Sequence, residues 1–374
     1  MLPPRRIPAI VAIVLVAALA FAALAAPTEA SRQPPAGPLF VDTDIGVDDA
    51  IAIAWLLDQP RAELVGFTTV FGNTSVENAT RNLLTLLGAA GEQYPVTVGA
   101  ADPLALPRTR TGALVHGPDG LWFAQQPADI SALPNDAPAA MAAAARANPG
   151  LTIVALGPLT NVARAVERFP ADMAGVRLVA LGGAQRGGNR TPVAEFNIFA
   201  DPHALAVVLA GDMRVELLTL DAFTQVTVDP QRFIRLLNRR GDAVGGLLAH
   251  AFGLYVQAQQ LNNSSGRNPI PDAAAVVYAL HPELGSAQSA LVKVIADDGL
   301  ARGQTLIATD LSSRMPLIAG DAELSSLADQ AFTPGFDLNA ALGAILMREP
   351  DNAQAVLDVQ EGAMVRLVER GLFR

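Results

Sequence analysis

The chain of 374 residues carries 51% hydrophobic and 17% charged residues, a net charge of −10 and no cysteine. That length holds one large α/β domain or two ordinary ones, with ample apolar material for a core. The charge argues against binding a phosphate backbone, and the missing thiols exclude disulfides, thiolate metal sites and cysteine nucleophiles.

Residues 1–30 read as a secretory signal peptide. Arg5-Arg6 supplies a positive start, Ala9 to Ala26 is an uninterrupted apolar run, and Ala23-Leu24-Ala25 and Thr28-Glu29-Ala30 offer small-x-small cleavage sites. The expected location is therefore periplasmic or extracellular. A run of about eighteen residues is near the minimum for a membrane span, so an uncleaved anchor is the alternative. Residues 31–37, rich in Pro and polar groups, form a short linker, and 38–374 read as one domain.

The apolar run Pro38 to Val41 predicts a buried strand, and Ile51 to Leu57 a helix. Between them stand Asp42, Asp44, Asp48 and Asp49, four carboxylates within eight residues, with Gly46 for a sharp turn. The C-terminal end of a strand is where open α/β sheets bind ligands. Two carboxylates at about 4 Å repel by roughly 4 kcal/mol at an effective dielectric near 20, so the cluster calls for a cation. The donors are all oxygens, which suits Ca²⁺ or Mg²⁺ better than zinc. The plainer alternative is that Asp48 and Asp49 only cap the helix dipole.

Further along, Glu63 to Val70 predicts a strand ending in Phe71-Gly72-Asn73-Thr74, and Ser75 to Leu87 a helix. Pro95 to Gly99 is a short third strand, giving the β-α-β-α-β order of a parallel sheet. Asp102 to Gly120 reads as a long loop carrying His116-Gly117-Pro118-Asp119-Gly120. A helix over Pro138 to Ala147, a strand over Leu151 to Leu156, a helix over Val162 to Arg168 and a strand over Val176 to Leu181 follow. The glycine-rich Gly182 to Gly188 lacks the spacing of a dinucleotide loop. Val215 to Leu220 is a sixth strand; Phe233 to Leu261 is largely helical and is broken at Asn262 to Gly266. A helix from Ala273 to Ala279, a hairpin of Ala290–Val294 with Gln304–Ala308, and a terminal helix from Gly362 to Gly371 complete the pattern. The fold expected is an open, mostly parallel α/β sheet flanked by helices, with a C-terminal α/β appendage.

The run Asp42-Thr43-Asp44-Ile45-Gly46-Val47-Asp48-Asp49-Ala50 resembles the N-terminal signature of the inosine-uridine-type nucleoside hydrolases, with Ile45 where Pro is usual. Similar blocks recur in order: Phe71-Gly72-Asn73, Asp102-Pro103-Leu104, His116 to Leu121, Leu156 to Asn161, Asn189 to Asn197, and Asn352 to Leu372. The resemblance covers about residues 38–374. It implies Ca²⁺-dependent hydrolysis of the N-glycosidic bond of ribonucleosides, giving ribose and a free base. Asp44, Asp49, the backbone carbonyl of Leu156 and Asp272 would be the metal ligands, and Asp44 the general base acting on a metal-bound water. Asp48, Asn73, Asn189, Glu195 and Asn197 would hold the ribose hydroxyls and the water. The physical demands agree, because oxocarbenium-like charge on the sugar is stabilised by carboxylates, and several hydroxyls need several fixed donors and acceptors.

A second departure from the family bears on the chemistry. The residue before the late metal-binding Asp, where many members carry His or an aromatic, is Pro271, which cannot donate a proton; His116 is the expected substitute. His203, His250 and His281 read as structural. Asp42-x-Asp44 also resembles an aspartyl-phosphate phosphatase pattern, but Gly46 stands where that pattern needs Thr or Val. A non-catalytic, exported metal- and ribose-binding protein is the second alternative, given substance by Pro271. Base preference is open. A small-molecule nucleoside is the expected partner, with homo-oligomers frequent among such soluble enzymes.

Overall fold

The computed structural model describes residues 37–60, 62–260, 266–331 and 333–373. The signal segment and residues 262–265 of the predicted helix break lie outside the described residues. Eleven strands are present among the described residues: β1 Leu39–Thr43, β2 Leu64–Thr69, β3 Val96–Val98, β4 Thr152–Ala155, β5 Arg177–Leu181, β6 Arg214–Leu218, β7 Thr227–Val228, β8 Asn268–Pro269, β9 Gly285–Val294, β10 Thr305–Ala308 and β11 Ala353–Val359. Nine of them make one sheet in the order β10-β9-β11-β6-β5-β4-β1-β2-β3, and β7 pairs with β8 separately. From β11 through β3 every neighbour is parallel; β9 is antiparallel to both β11 and β10.

The order places the site. From β1 the chain builds outward through β2 and β3 on one side, then returns to the other side of β1 to lay down β4, β5 and β6. The connections leaving β1 and β4 therefore diverge, and a crevice opens at the carboxyl ends of these two strands, where such sheets bind ligands. Asp42 is paired with Ala155 of β4 on one side and Thr68 of β2 on the other, so the acidic run emerges at the middle of the sheet.

Strand alternation divides β1 between two cores. Leu39 and Val41 join Val154, Val179 and Val356 under the helices α1 Val47–Leu57, α2 Val76–Ala90, α8 Ala243–Gln260, α9 Pro271–Leu280 and α13 Glu361–Leu372. Phe40 joins Ile153, Ala155, Leu178 and Leu217 on the opposite face, covered by α3 Ala137–Ala147, α4 Thr160–Arg168 and α6 Pro202–Ala210. The remaining longer helices are α5 Phe196–Ala200, α7 Pro230–Arg240, α10 Leu311–Ile318, α11 Asp321–Gln330 and α12 Leu338–Leu346. Strands β1, β4 and β5 are buried on both faces, which is why they read as continuous apolar runs and not as alternating ones, whereas β9 exposes Ser286 to Ser289.

The predicted strands and their order appear with ends moved by a residue or two, except that β9 begins five residues before the expected Ala290, and the appendage adds to the sheet itself. The hairpin β9–β10 and strand β11 extend the central sheet at its β6 edge. The helical stretch 233–261 is two helices, α7 and α8, separated at Gly241, whose φ of 74° is the left-handed conformation that ends α7. Residues 311–346, to which no element was assigned from sequence, hold α10 to α12. These pack a small cluster of their own around Met315, Ala319 and Ile345.

Candidate active site

The acids at the end of β1 are arranged by the start of α1. Gly46 is the N-cap of that helix, and its N–H donates to Asp49 Oδ2 at 2.9 Å while Thr43 Oγ1 donates to Asp49 Oδ1 at 2.6 Å. Asp49 thus caps the helix, as the plainer reading of the motif expects, and its carboxylate also lies close to those of Asp48 and Asp272. Ile45, standing where the family has Pro, uses its N–H to donate to Thr43 Oγ1 at 3.2 Å, and its side chain is wholly buried. The departure is absorbed by the turn.

Asp44 leaves the end of β1 toward the connection after β2. Asn73 donates to it twice, from the backbone N–H at 2.7 Å and from Nδ2 at 3.3 Å, and the same Nδ2 reaches Asp49 Oδ2 at 3.1 Å. Gly72 is required here, because a Cβ at that position would overlap the Asp44 carboxylate. Asp42 is a correction to the four-acid cluster. It points to the other face of the sheet, where Thr68 Oγ1 (2.6 Å) and Asn161 Nδ2 (2.8 Å) donate to its Oδ1. Burial pushes its carboxyl up to about 7, and its bonds to Thr68 and Asn161 hold it apart from the grouping of Asp48, Asp49 and Asp272.

Asp272 enters from the first turn of α9, immediately after Pro271. Single carboxylate oxygens of Asp48, Asp49 and Asp272 lie within 4.8 Å of one another, all three residues being buried. Asp44 stands beside this triple, sharing the Asn73 amide with Asp49. Burial, and then the charge of Asp49, hold both Asp44 and Asp272 well above the usual carboxylate range; burial and then Asp48 raise Asp49 to about 6. Asp48 Oδ1 has no hydrogen-bond donor. Buried carboxylates that repel one another, with an orphaned oxygen and, among the described residues, no Lys or Arg paired with them, fit a hard divalent cation. The carbonyl of Leu156, at the end of β4, lines the same crevice and accepts from Asn197 Nδ2 at 2.8 Å, which leaves it a second lone pair.

The crevice has a volume of about 640 Å³ and is lined by Asp48, Asn73, His116, Leu156, Asn189, Glu195, Asn197, Pro271 and Asp272. Glu195 is the N-cap of α5; its carboxylate accepts from the N–H groups of Asn197, Ile198 and Gly183, and burial raises it to about 7. Asn197 Nδ2 is held by the carbonyls of Leu156 and Leu181. Asn189 is exposed at the rim and accepts from the Phe196 N–H.

His116 closes a one-turn helix, Ala113–His116, and is buried. Its loop is anchored by Asn82, whose Nδ2 donates to the carbonyls of Ile45 and Asp119, and by Gly120, whose φ of 92° only glycine adopts without strain. His116 Nδ1 accepts from the Val47 N–H at 3.2 Å, so the neutral ring carries its proton on Nε2. Asp48 Oδ1 is 3.5 Å from Nδ1 and favours the charged ring, but burial is the larger effect and lowers the His116 pKa. Tyr255 of α8 packs 5.5 Å from the His116 ring and brings its hydroxyl within 3.5 Å of Asp48 Oδ2.

A profile of the family described as inosine-uridine preferring nucleoside hydrolase matches residues 39–364. The chain belongs to this family. The non-specific ribonucleoside hydrolase RihC of Escherichia coli (strain SMS-3-5 / SECEC) is 36% identical over 279 residues, spanning 73% of this chain and 88% of the relative. "Probable uridine nucleosidase 1" of Oryza sativa subsp. japonica is 35% identical over 280 residues, 72% of this chain and 84% of its own. Among solved structures, the plant nucleoside hydrolase PpNRh1 superposes with a TM-score of 0.74 at 28% identity, covering 91% of this chain and 99% of that one.

This nucleoside hydrolase also places in its crevice residues that the sequence analysis did not single out. Tyr255 and Gln259 come from α8, where helical periodicity marks them as part of a buried face and nothing more; Gln259 Nε2 donates to the Tyr255 hydroxyl at 3.1 Å. Arg110, Arg190, Phe196 and Phe223 are brought to the rim by loops and short helices, a placement that only tertiary structure reveals. His250 and His281 bond to the Trp122 carbonyl and to Glu283, away from the crevice.

Proposed function

We propose that this enzyme hydrolyses ribonucleosides to ribose and free base with Ca²⁺ at the acid cluster, Asp44 serving as general base. The observation that carries the reading is the grouping of Asp48, Asp49 and Asp272 beside an Asp44 that Asn73 fixes with two hydrogen bonds. Asp49, Asp272, the Leu156 carbonyl and one of Asp44 or Asp48 would hold the cation. A cation there supplies positive charge that binds the ribose diol and lowers the pKa of a water.

This chain's own groups do the rest. Asp44, made basic by burial and by its acidic neighbours, takes the proton of the attacking water, a role worth about 10²–10⁴ in rate. Asn73 fixes the Asp44 carboxylate beside Asp49. The water oxygen bonds to the anomeric carbon as the bond to the base nitrogen breaks. Asp48 faces the sugar and stabilises the oxocarbenium-like charge. His116, neutral with its proton on Nε2, donates a hydrogen bond to the departing base in place of the side chain that Pro271 lacks. Asn189, Glu195 and Asn197 line the wall that receives the remaining ribose hydroxyl.

Release of reducing sugar from a panel of purine and pyrimidine nucleosides tests this, with Ca²⁺, after chelation and with Asp44→Asn. Ribose release that falls at least about 100-fold on chelation, and again in the variant, is the expected result. Ca²⁺-dependent ribose binding without turnover would favour the binding-module reading that Pro271 keeps open. Arg5-Arg6 and the apolar run to Ala26 further support an exported protein, which would suit salvage of extracellular nucleosides.

A further inference from the structure

The crevice is not lined by acids alone: Arg110 and Arg190 line it together with His116, Asn189, Phe196 and Tyr255. Arg190 stacks its guanidinium over the rings of Phe196 and Phe199, at 5.6 and 5.4 Å, and its Nη2 donates to the Arg110 carbonyl at 3.1 Å. Arg302 lies on Phe199 at 4.9 Å, but its own donors are engaged by Asp298 and by the carbonyls of Phe199, Ala200 and Pro107. Among the described residues, neither Arg110 nor Arg190 has an ion-pair partner. Glu195, the nearest acid along the chain, has its carboxylate taken by three backbone N–H groups.

Partial burial, followed by the charges of Arg110 and Arg302, makes Arg190 less basic than an ordinary arginine. A chain of net charge −10 thus sets two uncompensated guanidinium groups at the rim of its own acidic crevice. Guanidinium forks match the oxygens of a phosphate, and stacking on aromatic rings holds the fork rigid with little further loss of entropy.

We propose that Arg110 and Arg190 form a subsite for an anionic group on the ribose O5′, so that the enzyme accepts ribonucleoside 5′-monophosphates. The inference rests on the nucleoside-hydrolysing reading above. A furanose bound by its 2′,3′-diol against the carboxylates presents the base at one end of the ring and C5′ at the other. With O5′ received by Asn189, Glu195 and Asn197, a 5′-phosphate extends toward Arg190, the residue after Asn189, and toward Arg110, whose carbonyl Arg190 holds. The reaction is the same hydrolysis: water gives OH to C1′ and a proton to the departing base, leaving ribose 5-phosphate, and no bond to phosphorus changes.

The test compares kcat/KM for inosine and uridine with that for their 5′-monophosphates, using the whole protein with Ca²⁺, for wild type and for Arg110→Gln/Arg190→Gln. Because the readout is a ratio of two substrates on one preparation, a loss of folded protein cancels. The wild type should cleave the monophosphate at least as efficiently as the nucleoside. The double variant should lower the monophosphate-to-nucleoside ratio by about 100-fold, as expected for two charge-assisted contacts. Ribose 5-phosphate should inhibit wild type more tightly than ribose, and this advantage should vanish in the variant. Nucleoside cleavage with no monophosphate cleavage and no preferential inhibition by ribose 5-phosphate would overturn the subsite and leave the nucleosidase intact. Failure to cleave either substrate or to bind either sugar would overturn the underlying reading.

Discussion

His116 shows how a single residue acquires its chemistry from its surroundings. The Val47 N–H occupies Nδ1, burial disfavours the charged ring, and the proton is left on Nε2. A neutral imidazole in that tautomer donates a hydrogen bond and has no second proton to give. Its loss should therefore matter most where the departing base is poor. His116→Ala is expected to lower kcat by about 10²-fold or more on inosine and uridine but only a few-fold on nitrophenyl riboside. Equal losses on all three would reject the role. At this scale the sequence singled out Asp48, Asn73, Asn189, Glu195 and Asn197, and all five line the crevice. Asp42 was not legible, because the spacing of Asp42 and Asp44 looks equivalent in sequence. The difference is that Asp42 still lies in β1, pairing with Thr68 and Ala155, while Asp44 has left the strand.

At the scale of elements, α1 is the helix that carries Asp48 and Asp49, and its position depends on the C-terminal helix. Trp55 of α1 is buried and donates from Nε1 to the Leu367 carbonyl of α13 at 2.9 Å. Gly371 lets the two helices approach; a Cβ there would overlap Trp55 and Gln59. Gly371→Ala should cost about 1–3 kcal/mol by overpacking, seen as a lower urea midpoint with an unchanged slope. An unchanged midpoint would mean that the helix ends part freely. Periodicity anticipates both helices, since each has a buried apolar face, but it says nothing of their meeting. Helices α10 to α12 escaped the sequence reading because they bury so little. Met315 and Ile345 are their chief buried anchors, and the apolar signal is correspondingly thin.

For the molecule as a whole, Asp44, Asp48, Asp49 and Asp272 are buried close together at the carboxyl end of the central sheet, and their mutual repulsion opposes folding. Ca²⁺ at a hundred times its dissociation constant stabilises a protein by about 2.7 kcal/mol, so it should raise the melting temperature over the chelated protein by about 2–6 °C. Asp272→Asn should remove most of that increment, since it takes away one member of the buried triple. A melting temperature indifferent to millimolar Ca²⁺ would show that the acids hold another ion or none.

The sequence by itself determined the alternation of strands and helices, the acidic turn after β1 and the chemistry its residue types allow. These are local consequences of hydrophobic period, turn residues and donor type, readable within a few positions. Tertiary structure decided which acids share a site and what faces them. The reversal of strand order beside β1 opens the crevice there, α9 delivers Asp272 from more than two hundred residues away, and α8 brings Tyr255 against His116. The same folding sets Arg190 on two aromatic rings with no ion-pair partner among the described residues. Such meetings depend on how separate faces pack, and no spacing along the chain encodes them.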